Sequence, residues 1–466
     1  MLVDARHAGF AVMGGCLALV AAYILVHRSA SLAIALAGLP LLVLMLLRPS
    51  RGLALGLVLT LAVPYWWDLG GRHAYQYAIV LAAASVFSAR RLRLTLTDVA
   101  LIVYMAVYLL GWQLQYDQPE TWHVALGQVL PLGFYLGARA VPRSRLAPLM
   151  TLTLFAGTVG ALTVIYEFWQ GHAVFIDPTK YLWNQASGDL FRPGGIFGSP
   201  PGAATVLMYV FFFGLAGLRS LRGRAKAFGV ICMGICTVAL VLTFTRAPLI
   251  GAGAGLLVFL WLVRSPLLRS ARVAVAAIAL ILAMVLVLPS LQGNSVFEAG
   301  VARGGTLTQR EGYWKLALPI AFASPHNFIV GIGTGVLETP ALSANAPVPY
   351  LVAATPQVFE NSLHNQYVTT LVEEGVIGLA SLVFLLVAIF APAARAARAT
   401  ADAHFAAIAA TVVGMAIVLA IDTELLHTPS LIMFFVSAGF AATAVGRPER
   451  AGAHDSGLIA QRARVV

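Results

Sequence analysis

Three arginines and a histidine, each in a distinctive context, are the chemically suggestive residues of this 466-residue chain. Arg192 sits in Phe191-Arg192-Pro193-Gly194-Gly195-Ile196-Phe197-Gly198-Ser199-Pro200, where glycines and prolines predict a shaped turn with close backbone approach. Arg246 sits in Thr243-Phe244-Thr245-Arg246-Ala247-Pro248, a tight link between two apolar runs, with Pro248 setting the start of the second. Arg310 sits in Thr308-Gln309-Arg310-Glu311-Gly312-Tyr313-Trp314. Thr308 and Glu311 have capping-box spacing, which predicts a short helix starting there. Arg310 and Trp314 would share one face of it, and its amino end would offer backbone donors to an anion. His364 sits in Ser362-Leu363-His364-Asn365-Gln366-Tyr367, where a long polar stretch gives way to an apolar one. Histidine can take up a proton near neutral pH, and Asn365 could orient a ring or a sugar hydroxyl. His326, in Pro325-His326-Asn327, is the competing histidine; Gly331, Gly333 and Gly335 after it read as a turn rather than a dinucleotide fingerprint.

Each residue also has a structural reading. Arg192 could touch lipid headgroups, Arg246 could snorkel at an interface, Arg310 could pair with Glu311 or stack on Trp314, and a lone histidine is more often structural than catalytic. The functional reading draws its force from the combination. The chain shows no Asp-x-Asp pair, His-x-x-x-His, Gly-x-Ser-x-Gly or P-loop lysine in its polar loops, so a bound divalent metal is not suggested. Cations, one candidate base and aromatics suit a reaction that expels a phosphate leaving group. Guanidinium groups hold a diphosphate in bidentate fashion. A neutral histidine accepting a proton from an attacking hydroxyl typically contributes about 10²–10⁴ in rate.

The elements that must position these residues are membrane helices. Hydrophobic residues make up 60% of the chain and charged residues 11%, far from the roughly 25% charged of a soluble protein. Alternating hydropathy predicts an all-α polytopic membrane protein rather than a barrel. Fourteen candidate spans lie near 8–27, 30–48, 53–67, 75–89, 98–115, 123–141, 148–170, 201–218, 227–244, 247–263, 273–289, 373–391, 403–421 and 428–446. The third and fourth are short, so the expectation is 12–14 transmembrane helices. The first run follows Arg6 and His7 and reads as an uncleaved helix rather than a signal peptide. Cys16, Cys232 and Cys236 all lie in apolar segments and read as packing residues. No matched pair of broken half-helices, the mark of many transporters, is evident.

Of 30 basic residues, eight (Arg28, Arg72, Lys180, Arg192, Arg246, Arg303, Arg310 and Lys315) fall on one side and 22 on the other. The positive-inside rule then makes both termini cytoplasmic and the loops 171–200 and 290–365 external. The net charge of +11 is thereby an orientation signal toward anionic lipid headgroups, not a nucleic-acid footprint. The expected organisation is a helical bundle over 1–289, a large external loop over 290–365 with short helices acting as an active-site lid, further spans over 366–446, and a loose tail over 447–466.

With Thr243-Phe244-Thr245-Arg246, Arg310 with Trp314, Pro325 to Gly335, and His364-Asn365 before Glu374-Gly375-Val376-Ile377-Gly378-Leu379, the chain resembles the O-antigen ligase and polymerase superfamily of bacterial inner-membrane proteins. The resemblance covers roughly residues 190–380. It implies a fold like the integral-membrane (GT-C-like) glycosyltransferases. It implies transfer of O-antigen from undecaprenyl diphosphate to a sugar hydroxyl of lipid A-core on the periplasmic face, metal-independent and inverting, with no cofactor. It also implies His364 as the base, with Arg246, Arg310 and Arg192 on the diphosphate. Asn365, Trp314 and His326 are candidate supporting residues. An O-antigen polymerase or a protein O-oligosaccharyltransferase would share these motifs and differ in acceptor. A transporter or flippase for the same lipid is the non-enzymatic alternative.

Overall fold

A computed structural model describes residues 49–64, 74–84, 94–115, 129–175, 191–264, 304–335, 363–423, 425 and 428–444. The expected spans near 8–27, 30–48 and 273–289, and the tail 447–466, lie outside the described residues. Those residues contain helices and no strand. In chain order the helices are α1 (Pro49–Ala62), α2 (Ala74–Ala84), α3 (Leu96–Gln115), α4 (Leu132–Ala140), α5 (Leu146–Gln170), α6 (Pro200–Leu218), α7 (Gly223–Leu242), α8 (Arg246–Leu262), α9 (Gly304–Ala321), α10 (Pro325–Val330), α11 (Gln366–Thr400), α12 (Ala403–Ile421) and α13 (Thr428–Thr443). Among the described residues, five helical stretches are long and apolar enough to cross a membrane: Arg143–Gln170, α6, α7, α11 and α12. The protein is an all-α polytopic membrane protein.

The helix ends follow from local chemistry. The Ser199 hydroxyl accepts from the Gly202 N–H with Pro200 in the first turn, and Ser324 accepts from Asn327 ahead of α10. Gly171, at φ 71°, closes α5. Between membrane helices the driving force is close packing, which favours small residues at crossings. A Cβ at Gly251 of α8 would lie 2.6 Å from the Gly414 carbonyl oxygen of α12, and one at Gly255 would lie 2.6 Å from that of Ala410. The two helices therefore run antiparallel in touching register. That register brings the amino end of α8, with Arg246, level with the carboxyl end of α12, where Ile421 and Asp422 lie.

One end of the bundle gathers the carboxyl ends of α5, α7 and α12 with the amino ends of α6, α8 and α11. The turns and helix ends opposite carry Arg143, Arg145, Arg219, Arg222, Arg264, Arg395 and Arg398. Helices α9 and α10 pack against α11. The helix α11 is discontinuous, which the sequence did not lead us to expect. Gly375 breaks it at φ 67°, ψ −167°, a conformation essentially reserved for glycine. The break deprives the Val372 and Glu373 carbonyls of their helical donors, and Ile332 and Gly333 replace them with N–H groups at 3.0 and 2.7 Å. The glycines after His326 are thus more than a turn: they let backbone press into the broken helix. Gly375→Ala is expected to destabilise the protein by more than the roughly 1–3 kcal/mol of the strained dihedral alone. A Cβ there would also overlap the Ile329 carbonyl. A thermal unfolding midpoint within a degree of the parent's would refute this.

Candidate active site

The histidine comes first, because its backbone is unusual. His364 adopts φ 49° immediately before α11, a region that non-glycine residues visit rarely and that concentrates at functional sites. Contacts on either side help to hold it. The Trp314 indole N–H donates to the carbonyl of Leu363 at 2.8 Å. His364 Nδ1 lies 3.1 Å from Asp422 Oδ1. A carboxylate can only accept, so Nδ1 carries the proton and Nε2 is left as the basic nitrogen. The imidazole is about one-third exposed, while Asp422 is 11% exposed, so the ring faces outward from a buried orienting group. Burial pushes the Asp422 carboxyl up. The hydrogen bond and charge of His364, the charge of Arg310 and the Thr423 N–H more than offset it and hold the group below the usual carboxylate range.

Arg310 approaches the same carboxylate. Its Nη1 donates to the Ile421 carbonyl at 2.7 Å. Burial lowers its pKa, the Asp422 charge opposes that, and the nearby Arg246 charge lowers it further. Arg310 and Trp314 use one face of α9 to reach residues flanking the His364–Asp422 pair, as their spacing predicts. The capping-box expectation is corrected. α9 begins at Gly304, so Arg310 lies well inside the helix and not at an exposed amino end. Glu311 pairs instead with Lys315 at 2.8 Å on the exposed side.

The helix amino end that does face the cations is that of α8. Thr243 to Thr245 link α7 to α8, with Phe244 at φ 50°. Thr245 holds the N-cap position of α8 without capping it. Its hydroxyl accepts from Arg192 Nη2 at 2.6 Å, while Arg192 Nε donates to the Thr243 carbonyl at 3.2 Å. Arg192 is thereby fastened beside Arg246 at the positive end of a helix dipole, an arrangement suited to an anion.

Glu167 fastens Arg192 in turn. Its buried carboxylate accepts from Gly194 and Gly195 at 3.1 and 2.7 Å, and from Val174 and Phe175, both at 3.0 Å. Sequence reasoning passed over Glu167 because it lies inside an apolar span. The signal present was an acidic residue within such a span, which is costly unless it is used. Glu167→Gln removes one acceptor oxygen and turns an NH₂ toward N–H groups. It is expected to cost on the order of 3 kcal/mol, read as a lowered unfolding midpoint together with weaker substrate binding.

Asp422 was likewise missed. It follows α12 with no motif around it, and only the helix crossing brings it to His364. The Asn365 side-chain oxygen accepts from the Val368 N–H and caps α11, so it starts the helix that follows His364. His326 is exposed on α10, and no hydrogen bond or ion pair among the described residues ties it to the cluster. The structure therefore brings together His364, Asp422, Arg310, Trp314, Arg246 and Arg192.

Chemically, the cluster offers an oriented imidazole beside three guanidinium groups and a helix amino end. A family model described as O-antigen ligase matches residues 228–383. That span contains Arg246, Arg310, Trp314 and His364 but neither Arg192 with Glu167 nor Asp422. No curated protein sequence matches the chain.

Proposed function

We propose that this chain, whose residues 228–383 match a family model described as O-antigen ligase, transfers O-antigen from undecaprenyl diphosphate to a sugar hydroxyl of lipid A-core. His364 Nε2 takes the proton of the attacking hydroxyl. The hydroxyl oxygen bonds to the anomeric carbon, and the carbon–oxygen bond to the diphosphate breaks on the opposite face, with inversion. The electron pair leaves on the diphosphate oxygen, where Arg310, Arg246 and Arg192 neutralise it. Asp422 keeps Nδ1 protonated and stabilises the imidazolium that forms, the role an acidic partner has in other histidine-based sites. Preorganised charges aimed at a leaving group are commonly the largest part of such catalysis.

The observation that carries this reading is the His364–Asp422 pair at 3.1 Å with Arg310 beside it. In this reading the cluster faces the periplasm, since the end opposite carries most of the described basic residues. The three guanidinium groups supply the charge that a divalent ion supplies elsewhere. Transfer in vitro is therefore expected to continue undiminished in EDTA. Loss on chelation, restored by a divalent cation, would overturn the metal-independent mechanism. Lipopolysaccharide gels from a deletion strain distinguish the acceptor. Bare core with free lipid-linked polymer is the expected result; single-repeat caps would make the protein a polymerase, and a lost glycoprotein a protein O-oligosaccharyltransferase.

A further inference from the structure

Outside the cluster, α10 and the turn that joins it to α9 present an apolar surface that the transfer chemistry does not use. Phe322 and Phe328 stack at 5.6 Å with an interplanar angle of 29°. They are 61% and 40% exposed, and Ile329 beside them is 46% exposed. Three apolar side chains left open on so small an element mark a contact surface rather than ordinary solvent exposure.

The position of this patch identifies what covers it. The Ile329 carbonyl abuts the backbone of Gly375. Directly past Gly375, α11 turns Val376, Ile377, Val383 and Val387 outward. On a membrane-crossing helix, that outward apolar row faces acyl chains. The residues just before the break are covered, Glu373 and Glu374 being 5% exposed each, and the exposed apolar row begins at Val376, so the lipid-facing surface of α11 starts at Gly375. The patch on α10 is continuous with the lipid-facing row at that level. At the same end of the bundle, Tyr166 and Trp169 of α5 are exposed and in edge-to-face contact at 6.3 Å. Such aromatics mark the headgroup boundary.

We propose that Phe322, Phe328 and Ile329 dock into the headgroup–acyl boundary of the adjacent leaflet, so that the α9–α10 unit is a membrane-seated element rather than a water-borne loop. Amphipathic segments bury phenylalanine faces at this depth. Two turns back toward the amino end, on the stripe of α9 that leads to Phe322, Glu311 and Lys315 lie in water, with Lys315 73% exposed, so the stripe passes from polar to apolar as it nears α10. The seat would hold α9, and with it Arg310 and Trp314, against the leaflet in which a lipid-linked substrate travels. The proposal needs only that α11 crosses the membrane. It stands or falls independently of the transfer reaction.

The test uses the full chain in nanodiscs of phosphatidylethanolamine and phosphatidylglycerol, with Cys16, Cys232 and Cys236 replaced by alanine. Spin labels are placed at Phe328→Cys, at Phe322→Cys and, as a water reference, at Lys315→Cys. Collision rates with oxygen, which concentrates in lipid, and with a water-soluble nickel chelate are compared. Labels at 328 and 322 are expected to collide more with oxygen than with nickel, and the label at 315 to do the reverse. Nickel access at 328 and 322 equal to that at 315 would overturn the proposal. So would poor access of both reagents, which would mean that protein, not lipid, covers the patch. Two labelled positions keep the result interpretable where one substitution perturbs the fold.

Discussion

In an in vitro transfer assay, the His364→Ala protein is expected to turn over about 10²–10⁴-fold more slowly than the parent, the range general-base catalysis usually contributes. The loss should fall on kcat, because the imidazole acts on the acceptor proton only as the new bond forms. The His364–Asp422 geometry adds a sharper companion. Asp422→Asn puts an amide where the carboxylate accepts from Nδ1, and this frees the other tautomer, with the proton on Nε2. Its kcat should fall at least tenfold yet not below that of His364→Ala, since Asp422 acts through the ring. The double variant should be no slower than His364→Ala alone, because residues that act as a unit are not additive. A fully active His364→Ala would falsify the mechanism. An Asp422→Asn protein slower than His364→Ala would give Asp422 a role of its own.

The second large effect is expected at Arg310. Removing one preorganised donor from a developing charge typically costs about 10²–10³ in rate. Arg310→Ala loses that interaction and also one of the charges that hold Asp422 ionised, with its hydrogen bond to the Ile421 carbonyl. The expected result is a fall of about 10²–10³ in kcat/KM, accompanied by reduced thermal stability. Arg310→Lys keeps the charge but not the planar fork, so it should recover stability better than rate. Equal recovery of both would assign Arg310 to structure alone. The comparison with Arg246→Ala is informative. Arg246 is exposed and starts α8, so its loss should reduce rate with little change in stability.

The architecture and the residues of the candidate site were legible to different degrees, for a physical reason. Apolar runs and their punctuation are local, so the helices from α5 to α8, with α12 and α13, follow from hydropathy, proline and glycine positions to within a few residues, whereas α11 (Gln366–Thr400) extends well past both ends of the apolar run expected near 373–391. The cationic residues were legible from type and context: Arg192, Arg246, Arg310 and His364 each stand where a charged or titratable group is costly or confined. The spacing of Arg310 and Trp314 also correctly put them on one face. The start of α9 was misread because a capping-box spacing recurs by chance inside a helix, and only the backbone shows where the first turn lies.

What remained hidden depends on contacts between elements far apart in the chain. Asp422 has no motif. It becomes the partner of His364 because Gly251 and Gly255 let α8 lie against α12, and because the sharp backbone at His364 turns the ring toward that helix end. Glu167 looks like an isolated acid in an apolar run until four backbone N–H groups from two other segments converge on it. The sequence by itself determined the solvent in which the chain folds, the class of secondary structure and the identity of the charged groups, because these depend on composition and short-range order. Tertiary structure alone decided which carboxylate orients the histidine, which helix end faces the cations and which arginine is tied to which loop. Those choices are made by helix crossings, and a crossing is set by side-chain volume on two surfaces at once, which no local pattern in one chain segment records.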